Sequence, residues 1–265
     1  MYATNYHRAS SLADAARLQS SSDEAKYVSG GMTLIPTMKQ RLAAPSDLVD
    51  LRHVPELKGI SVSGNRVRIG AGTTHHEVST SAELKAACPA ICHLASHIGD
   101  PHVRHMGTIG GSIANNDPAA DYPSAMLALG ATIVTDRREI AADDFFTGLF
   151  ETALEDGEII VAVTFETPAR AAYAKFANPA SRYAMAGVFV AKAWDGSGRA
   201  AVTGAGSNGV FRHAGLEAAL SANWSADAAS GITVDAADML SDIHGSAEYR
   251  ANLVKVMAKR AVAAA

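Results

Sequence analysis

Cysteine is almost missing from this sequence: Cys88 and Cys92 are the only two in 265 residues. Two thiols cannot build a disulfide framework, and their spacing in CPAIC is neither the redox motif nor a zinc knuckle. They read as buried or idle thiols. Basic runs are missing too. None exceeds the pair Arg137-Arg138, and the net charge is −4, so nucleic acid is not an expected partner. No apolar stretch approaches the roughly 20 residues that span a bilayer. The opening MYATNYHRASSLADAARL also lacks the apolar stretch of a signal peptide. The expectation is a soluble, cytoplasmic chain that is not integral to a membrane.

Catalytic signatures are absent in the same way. No Ser lies in G-x-S-x-G and no segment reads H-E-x-x-H, which removes the nucleophilic hydrolases and zinc proteases those patterns mark. His93, His97, His102 and His105 follow the two thiols, with His93 and His97 on one helix face. No carboxylate is spaced to complete a metal site with them. They read as surface and loop histidines, and neither a metal ligand nor a catalytic residue is assigned.

What is present is apolar. Hydrophobic residues make up 48% and charged residues 19%, enough to bury a core in one or two compact domains with two or three subdomains. A helix is expected from Ser11 to Gln19, capped by Ser10 or Ser11. A β run at Tyr27-Val28-Ser29, a break at Gly30-Gly31 and a helix in LIPTMKQRL follow. DLVDL and RVRIGAG read as strands, and Thr74 with Glu77 as a capping box. A long helix is expected from Glu83 towards Ile98, another from Pro118 to Leu129, and then the strand ATIVTD. EIIVAVTFETP is a strand ended by Pro168, PARAAY a hinge, and YAKFAN, GVFVAKAW and RAAVTGAG are strands. GLEAAL and a last helix, SAEYRANLVKVMAKRAVA with Tyr249, Leu253 and Val256 on one face, close the chain.

Two Gly-Gly pairs carry the functional signal: SGGMT at Ser29 to Thr33 and TIGGS at Thr108 to Ser112. Glycine removes Cβ where backbone N–H groups must approach something closely, often phosphate oxygens, and it permits positive φ, which is expected at Gly111. Two such loops suit a pyrophosphate; the alternative is that each is a tight turn. Both have a hydroxyl beside the glycines, and the second is followed by Asn115, Asn116, Asp117 and Asp121. Neither loop is G-x-G-x-x-G or G-x-x-x-x-G-K-[ST], so the Rossmann and P-loop readings fail for them.

YVSGGMTLIPTMKQRLAAPSDLVDL and TIGGSIANNDPAADYPSAMLALGA together resemble the FAD-binding medium subunit of molybdenum hydroxylases, the carbon monoxide dehydrogenase and xanthine dehydrogenase group. The resemblance runs on in order through DDFFTGLFETALEDGEII, PASRYAMAGV, VTGAGSNGVFRHAGLEAAL and DIHGSAEYRANLV. It implies an α/β (α+β) chain with a two-subdomain FAD-binding fold similar to vanillyl-alcohol oxidase. Residues 1–170 would be the FAD-binding domain, with subdomains of about 1–53 and 54–170. Residues 171–265 would be a C-terminal domain with a small antiparallel sheet and helices.

The same resemblance makes both loops a cradle for the FAD pyrophosphate. Gly30, Gly31, Gly110 and Gly111 would give backbone access, and Ser29, Thr33, Thr108 and Ser112 hydroxyls. Met32, Leu34, Ile98 and Asp117 complete the implied cofactor set. Asn115 either donates to a phosphate or shapes the turn. Asp121 either accepts from a ribose hydroxyl or sits at a helix start for its dipole. Tyr183 either stacks on the isoalloxazine or packs in the core. Relatives often read AGGHS in the first loop and carry His at the place of Asn115 or Asn116. Here Met32 follows the glycines, so the histidine's contact does not carry over.

The implied function is electron transfer to an external acceptor. A large molybdopterin subunit and a small subunit with two 2Fe–2S clusters would be the partners, assembled as a dimer of heterotrimers. Two cysteines cannot hold a cluster that takes four. Two other readings stand beside this one: a nucleotide-binding scaffold without electron transfer, and a self-sufficient FAD-dependent reductase. Substrate and acceptor are not legible in this chain.

Overall fold

The computed structural model describes all 265 residues, and its three main sheets follow one another along the chain. The first holds β1 (Asn5–Arg8), β2 (Lys26–Val28) and β3 (Asp47–Asp50), parallel in the order β1-β3-β2, with α1 (Leu12–Gln19) and α2 (Leu34–Lys39) as crossovers. Ser11, not Ser10, caps α1 by accepting from the Asp14 N–H at 3.1 Å. Gly31 breaks the chain after β2 with φ at +68°, a conformation a Cβ resists.

The second sheet frames most of the helices. After β4 (Ile60–Ser63) and β5 (Arg66–Gly70) come α3 (His75–Thr80), α4 (Ala82–Ala87), α5 (Pro89–Ser96), α6 (Pro101–Met106), α7 (Ile109–Asn115) and α8 (Tyr122–Ala128). Strands β6 (Thr132–Thr135) and β7 (Glu139–Ala141), helix α9 (Ala142–Phe145), the hairpin β8 (Phe146–Gly148) and β9 (Glu151–Thr152), and β10 (Ile160–Glu166) follow. The sheet order is β4-β5-β10-β6-β7, all antiparallel. Thr74 and Glu77 form the expected capping box at α3. The long helix expected from Glu83 is instead two. Cys88 takes φ −150° because the following Pro89 disfavours helical backbone at the residue before it. The helix expected from Pro118 starts only at Tyr122. Cys88 and Cys92 are both buried and unbridged.

The third sheet corrects the expected hinge. PARAAY runs straight into β11 (Arg170–Ala177), which pairs along its length with β12 (Ala184–Lys192); β13 (Gly198–Thr203) and β14 (Phe211–Arg212) complete an antiparallel four. Both faces are covered. Tyr173, Phe189 and Ala201 join the core beneath the first two sheets. Val188, Val190 and Val202 pack with α10 (Ala214–Ala222), α11 (Ala226–Ser230) and α12 (Ala247–Ala264). The buried stripe of α12 is also shifted from expectation. Leu253 is in it, with Val254, Met257 and Ala258, but Tyr249 is 43% exposed. Arg250 is buried instead, its guanidinium donating to the Met185 and Gly204 carbonyls at 2.8 Å each and to Asp242 at 2.7 Å.

Candidate functional site

A cleft of about 690 Å³ opens where the turn after β2, the start of α7 and the loop between β11 and β12 meet. Ser29, Gly30, Gly31, Met32, Thr33, Leu34, Ile98, Thr108, Gly110, Gly111, Ser112, Asn115, Asp117, Asp121 and Tyr183 all line it. Residues far apart in sequence therefore share one concave surface of the size that small-molecule ligands occupy.

The two glycine-bearing segments meet through the residues beside the glycines. A Cβ on Gly30 would fall onto the Met106 carbonyl and within 2.7 Å of the Gly107 Cα, so the first turn lies directly against the residues that precede α7. Ser29 Oγ and Thr108 Oγ1 are 3.1 Å apart and join the two segments by a hydroxyl bond. A Cβ on Gly110 would come within 2.5 Å of Ala71 Cβ, so glycine there lets α7 dock on the end of β5. TIGGS is not a loop. Thr108 caps α7 and both glycines are in its first turn, with Gly31 alone of the four at positive φ. The expectation of positive φ at Gly111 is corrected on that ground.

What the pairs leave free differs. The N–H groups of Gly30, Gly31, Met32 and Thr33 donate to no atom of the chain. At the second pair the donors are engaged: Ile109 to the Thr73 carbonyl at 3.1 Å, Gly110 to the Ala71 carbonyl at 2.9 Å, and Gly111 to Thr108 Oγ1 at 3.2 Å. Successive open N–H groups beside a hydroxyl make an anion-binding concavity. The residues present therefore fit a phosphorylated cofactor, with the first turn as its donor set.

Asp121 lies deep in the cleft, 5% exposed. Its Oδ1 accepts from the Tyr173 hydroxyl at 2.5 Å and its Oδ2 from Lys175 Nζ at 2.9 Å, while Lys175 also donates to the His97 carbonyl at 3.2 Å. Burial pushes the Asp121 carboxyl above the usual carboxylate range, against the pull of Lys175 and Tyr173. Asn116, not Asn115, shapes the turn after α7. It is left-handed at φ 41°, and its side chain donates to the Gly148 and Glu151 carbonyls. Tyr183 is no core residue: it is 48% exposed at the cleft.

Sequence reasoning missed Lys175, His75 and Glu158, which also line the cleft. Lys175 carried a signal, a lone cation in the apolar strand YAKFA. Glu158 accepts from Arg138 and Thr135, and the Arg138 guanidinium holds its carboxyl down at about 2. His75 is buried with Nδ1 unpartnered, and burial pushes its imidazole down to about 4. Nothing in THHE says which histidine turns inward. The segment Gly204 to Gly209 does match G-x-G-x-x-G, but it leads into β14 rather than a helix.

Residues 2–168 match the family model described as the FAD binding domain in molybdopterin dehydrogenase. The carbon monoxide dehydrogenase medium chain of Afipia carboxidovorans is 36% identical over 97% of this chain and 95% of its own. The nicotine 6-hydroxylase medium subunit of Paenarthrobacter nicotinovorans is 35% identical over 98% of this chain and 96% of its own. A solved Cu,Mo-CO dehydrogenase chain superposes with a TM-score of 0.87 at 35% identity, covering 98% of this chain and 96% of that one.

Proposed function

The chain belongs to the family of FAD binding domains of molybdopterin dehydrogenases, and from that membership we propose that it is the FAD-carrying electron-transfer subunit of a molybdenum hydroxylase. It takes electrons from 2Fe–2S clusters of a small partner subunit, after a large molybdopterin subunit has oxidised the substrate, and passes them to an external acceptor. Bound FAD would supply the redox chemistry.

The observation that carries the reading is the row of open N–H groups from Gly30 to Thr33, beside the Ser29 and Thr108 hydroxyls, in a cleft of about 690 Å³. These donors hold the pyrophosphate, and Thr33 and Ser112 add hydroxyls. Gly110 and Gly111 bring the surface of α7 close to it. Asp121, with Asn115 and Asp117, faces the sugar and phosphate portion; Met32, Leu34 and Ile98 exclude water from the cofactor. Tyr183 covers one face of the isoalloxazine and limits its access to solvent. The layout is similar to that of vanillyl-alcohol oxidase, with an FAD-binding domain of residues 1–170, in subdomains of about 1–53 and 54–170, and a C-terminal domain of 171–265. The assembly is a dimer of heterotrimers in the cytoplasm.

Purification of this chain without partners tests the reading. The expected result is one flavin per chain and no oxidation of carbon monoxide, aldehydes or purines with an artificial dye. A colourless chain that takes up no added FAD would instead be a scaffold, and robust turnover by the lone chain would make it a self-sufficient reductase.

A further inference from the structure

His75 stands directly behind the glycine turn of the cleft. Residues 73–75 run antiparallel to residues 107–109: the His75 backbone N–H donates to the Gly107 carbonyl at 2.9 Å, the Ile109 N–H donates to the Thr73 carbonyl at 3.1 Å, and Thr74 bridges to Thr108. Thr108 in turn meets Ser29, and Gly107 lies against Gly30. The imidazole is held in the same place. A Cβ on Gly107 would lie 2.6 Å from Nε2, and the ring lines the cleft although only 5% of the residue is exposed. Its Nδ1 is buried without a partner, which in a folded protein calls for a reason.

The charges of the cleft supply one. Its wall carries the carboxylates Asp117, Asp121 and Glu158 and the cations Lys26, Lys175 and Arg182. Lys175 is held by Asp121, and Arg182 donates to the Gly99 carbonyl at 3.3 Å. Lys26 is exposed at the start of β2, about 13 Å of extended chain before Gly30. Arg104 lies near His75 but donates to the Ile98 and Gly99 carbonyls and does not line the cleft. His75 is therefore the basic side chain set against the turn. A pyrophosphate diester carries negative charge on each phosphate, and an anion within about 4 to 6 Å favours the charged form of an imidazole.

The groups packed around the ring allow that charge. From α6, Arg104 opposes it, His102 is exposed, and His105 stacks on His76 at 3.9 Å. From α5, burial pushes the Cys92 thiol up to about 11, so it stays neutral, and exposed His93 packs on His97. From α4, Glu83 accepts from the Val62 N–H and Lys85 is exposed. Glu77 of α3 itself is spent in the capping box. At the start of α8, the Tyr122 hydroxyl is buried and unpartnered, and its ring lies 5.4 Å from the imidazole. Both nitrogens of an imidazolium donate, so the Tyr122 oxygen is at hand to accept from Nδ1 and leaves Nε2 to the cleft.

We propose that His75 is the counter-charge of the pyrophosphate cradle: neutral in the free chain, its imidazole takes one proton from solvent as FAD binds, and the resulting cation faces the phosphates. This rests on the cleft holding FAD. Burial and Arg104 hold the imidazole down at about 4 beforehand, and the incoming phosphates raise it again. The pyrophosphate diester has no group of its own that titrates near neutral pH, so a proton taken up on binding belongs to the protein. The sign follows: uptake on binding makes FAD affinity rise as pH falls.

Calorimetric titration of FAD into the flavin-stripped full chain, in two buffers of different ionisation enthalpy, counts the protons. About half a proton or more should be taken up per FAD at pH 5.5 and almost none at pH 8, and affinity should rise roughly tenfold from pH 7.5 to pH 5.5 as the bound imidazole returns to its ordinary range. His75→Gln should still bind FAD but lose most of the uptake and of the pH dependence. Asp121→Asn, which removes the cleft carboxyl that burial holds above its usual range, should keep both. No uptake by the parent, equal uptake in His75→Gln, or loss of uptake in Asp121→Asn overturns the proposal. FAD binding without uptake overturns it alone; a parent chain that binds no FAD overturns the reading of the cleft as well.

Discussion

Gly30-Gly31 and Gly110-Gly111 are the same dipeptide put to two uses. The first pair sits in a turn with one glycine at positive φ and its N–H groups open to the cleft. The second sits in the first turn of α7, where the donors are spent within the protein and the missing Cβ of Gly110 makes room for Ala71. The first pair leaves its donors open, while Gly30 also lets the turn lie against Met106 and Gly107, and the second pair spends its donors and lets a helix pack against a strand end. Backbone conformation and the pattern of surrounding hydrogen bonds separate them.

The largest effect should come from the packing pair. Gly110→Val would place a branched Cβ within 2.5 Å of Ala71 Cβ and 2.8 Å of the Ala71 carbonyl. Neither atom is the end of a flexible chain, so overpacking should cost about 3 kcal/mol. Urea denaturation reads this directly, and an unchanged midpoint would remove the packing role from Gly110.

Acid should loosen the same region. The His75 backbone N–H donates to the Gly107 carbonyl at 2.9 Å, and a Cβ on Gly107 would lie 2.6 Å from His75 Nε2, so the ring packs against Gly107. Burial lowers the imidazole from 6.5 to about 4, so the folded protein holds the neutral ring while the unfolded chain binds a proton below pH 6.5. Stability contributed by this site is complete above pH 6.5 and is lost as pH falls towards 4. Between pH 7 and pH 5 the loss should be about 2 kcal/mol. His75→Gln should flatten that part of the pH profile; an equal slope in the variant would assign the titration to another group.

At the ligand-facing pair, Gly31→Ala should cost roughly 1 to 2 kcal/mol because alanine resists the left-handed backbone. It should also lower FAD affinity more than tenfold, since relaxing φ turns the open N–H groups away. Gly31→Asn, which tolerates that conformation, should recover much of both. Full flavin retention in Gly31→Ala would break the distinction between the pairs.

Much of this was legible in the residues. Strand, glycine turn and helix at 27–39 and the Thr74 and Glu77 capping box follow from local chemistry, and so do the two glycine pairs with their hydroxyls, whereas the other cleft residues came from the family resemblance. The rest depended on partners distant in sequence. Lys175 reaches Asp121 across 54 residues, and no local pattern encodes that. The hinge expected at PARAAY fails because alanines flanked by proline look flexible until a long neighbour strand pairs with them. The α12 face shifted because Arg250 is buried by carbonyls of other segments, which hydrophobic periodicity cannot foresee.

The smallest effect should come from Gly111→Ala, and it sharpens the comparison most. Gly111 is helical, so a methyl there gains roughly 0.5 to 1 kcal/mol of helix propensity. Its single close neighbour, Thr108 Oγ1 at 3.0 Å, must give slightly, which offsets part of the gain. Net stability should stay within about 0.5 kcal/mol of the parent. FAD affinity should fall less than tenfold, because the Gly111 N–H is already donated to Thr108 and the proposed donors to the pyrophosphate are those of the first turn. A stable Gly111→Ala protein that has lost its flavin would mean that this N–H exchanges Thr108 for a phosphate oxygen. The two glycine pairs would then share the ligand, with Thr108 holding the donor in place until the cofactor arrives.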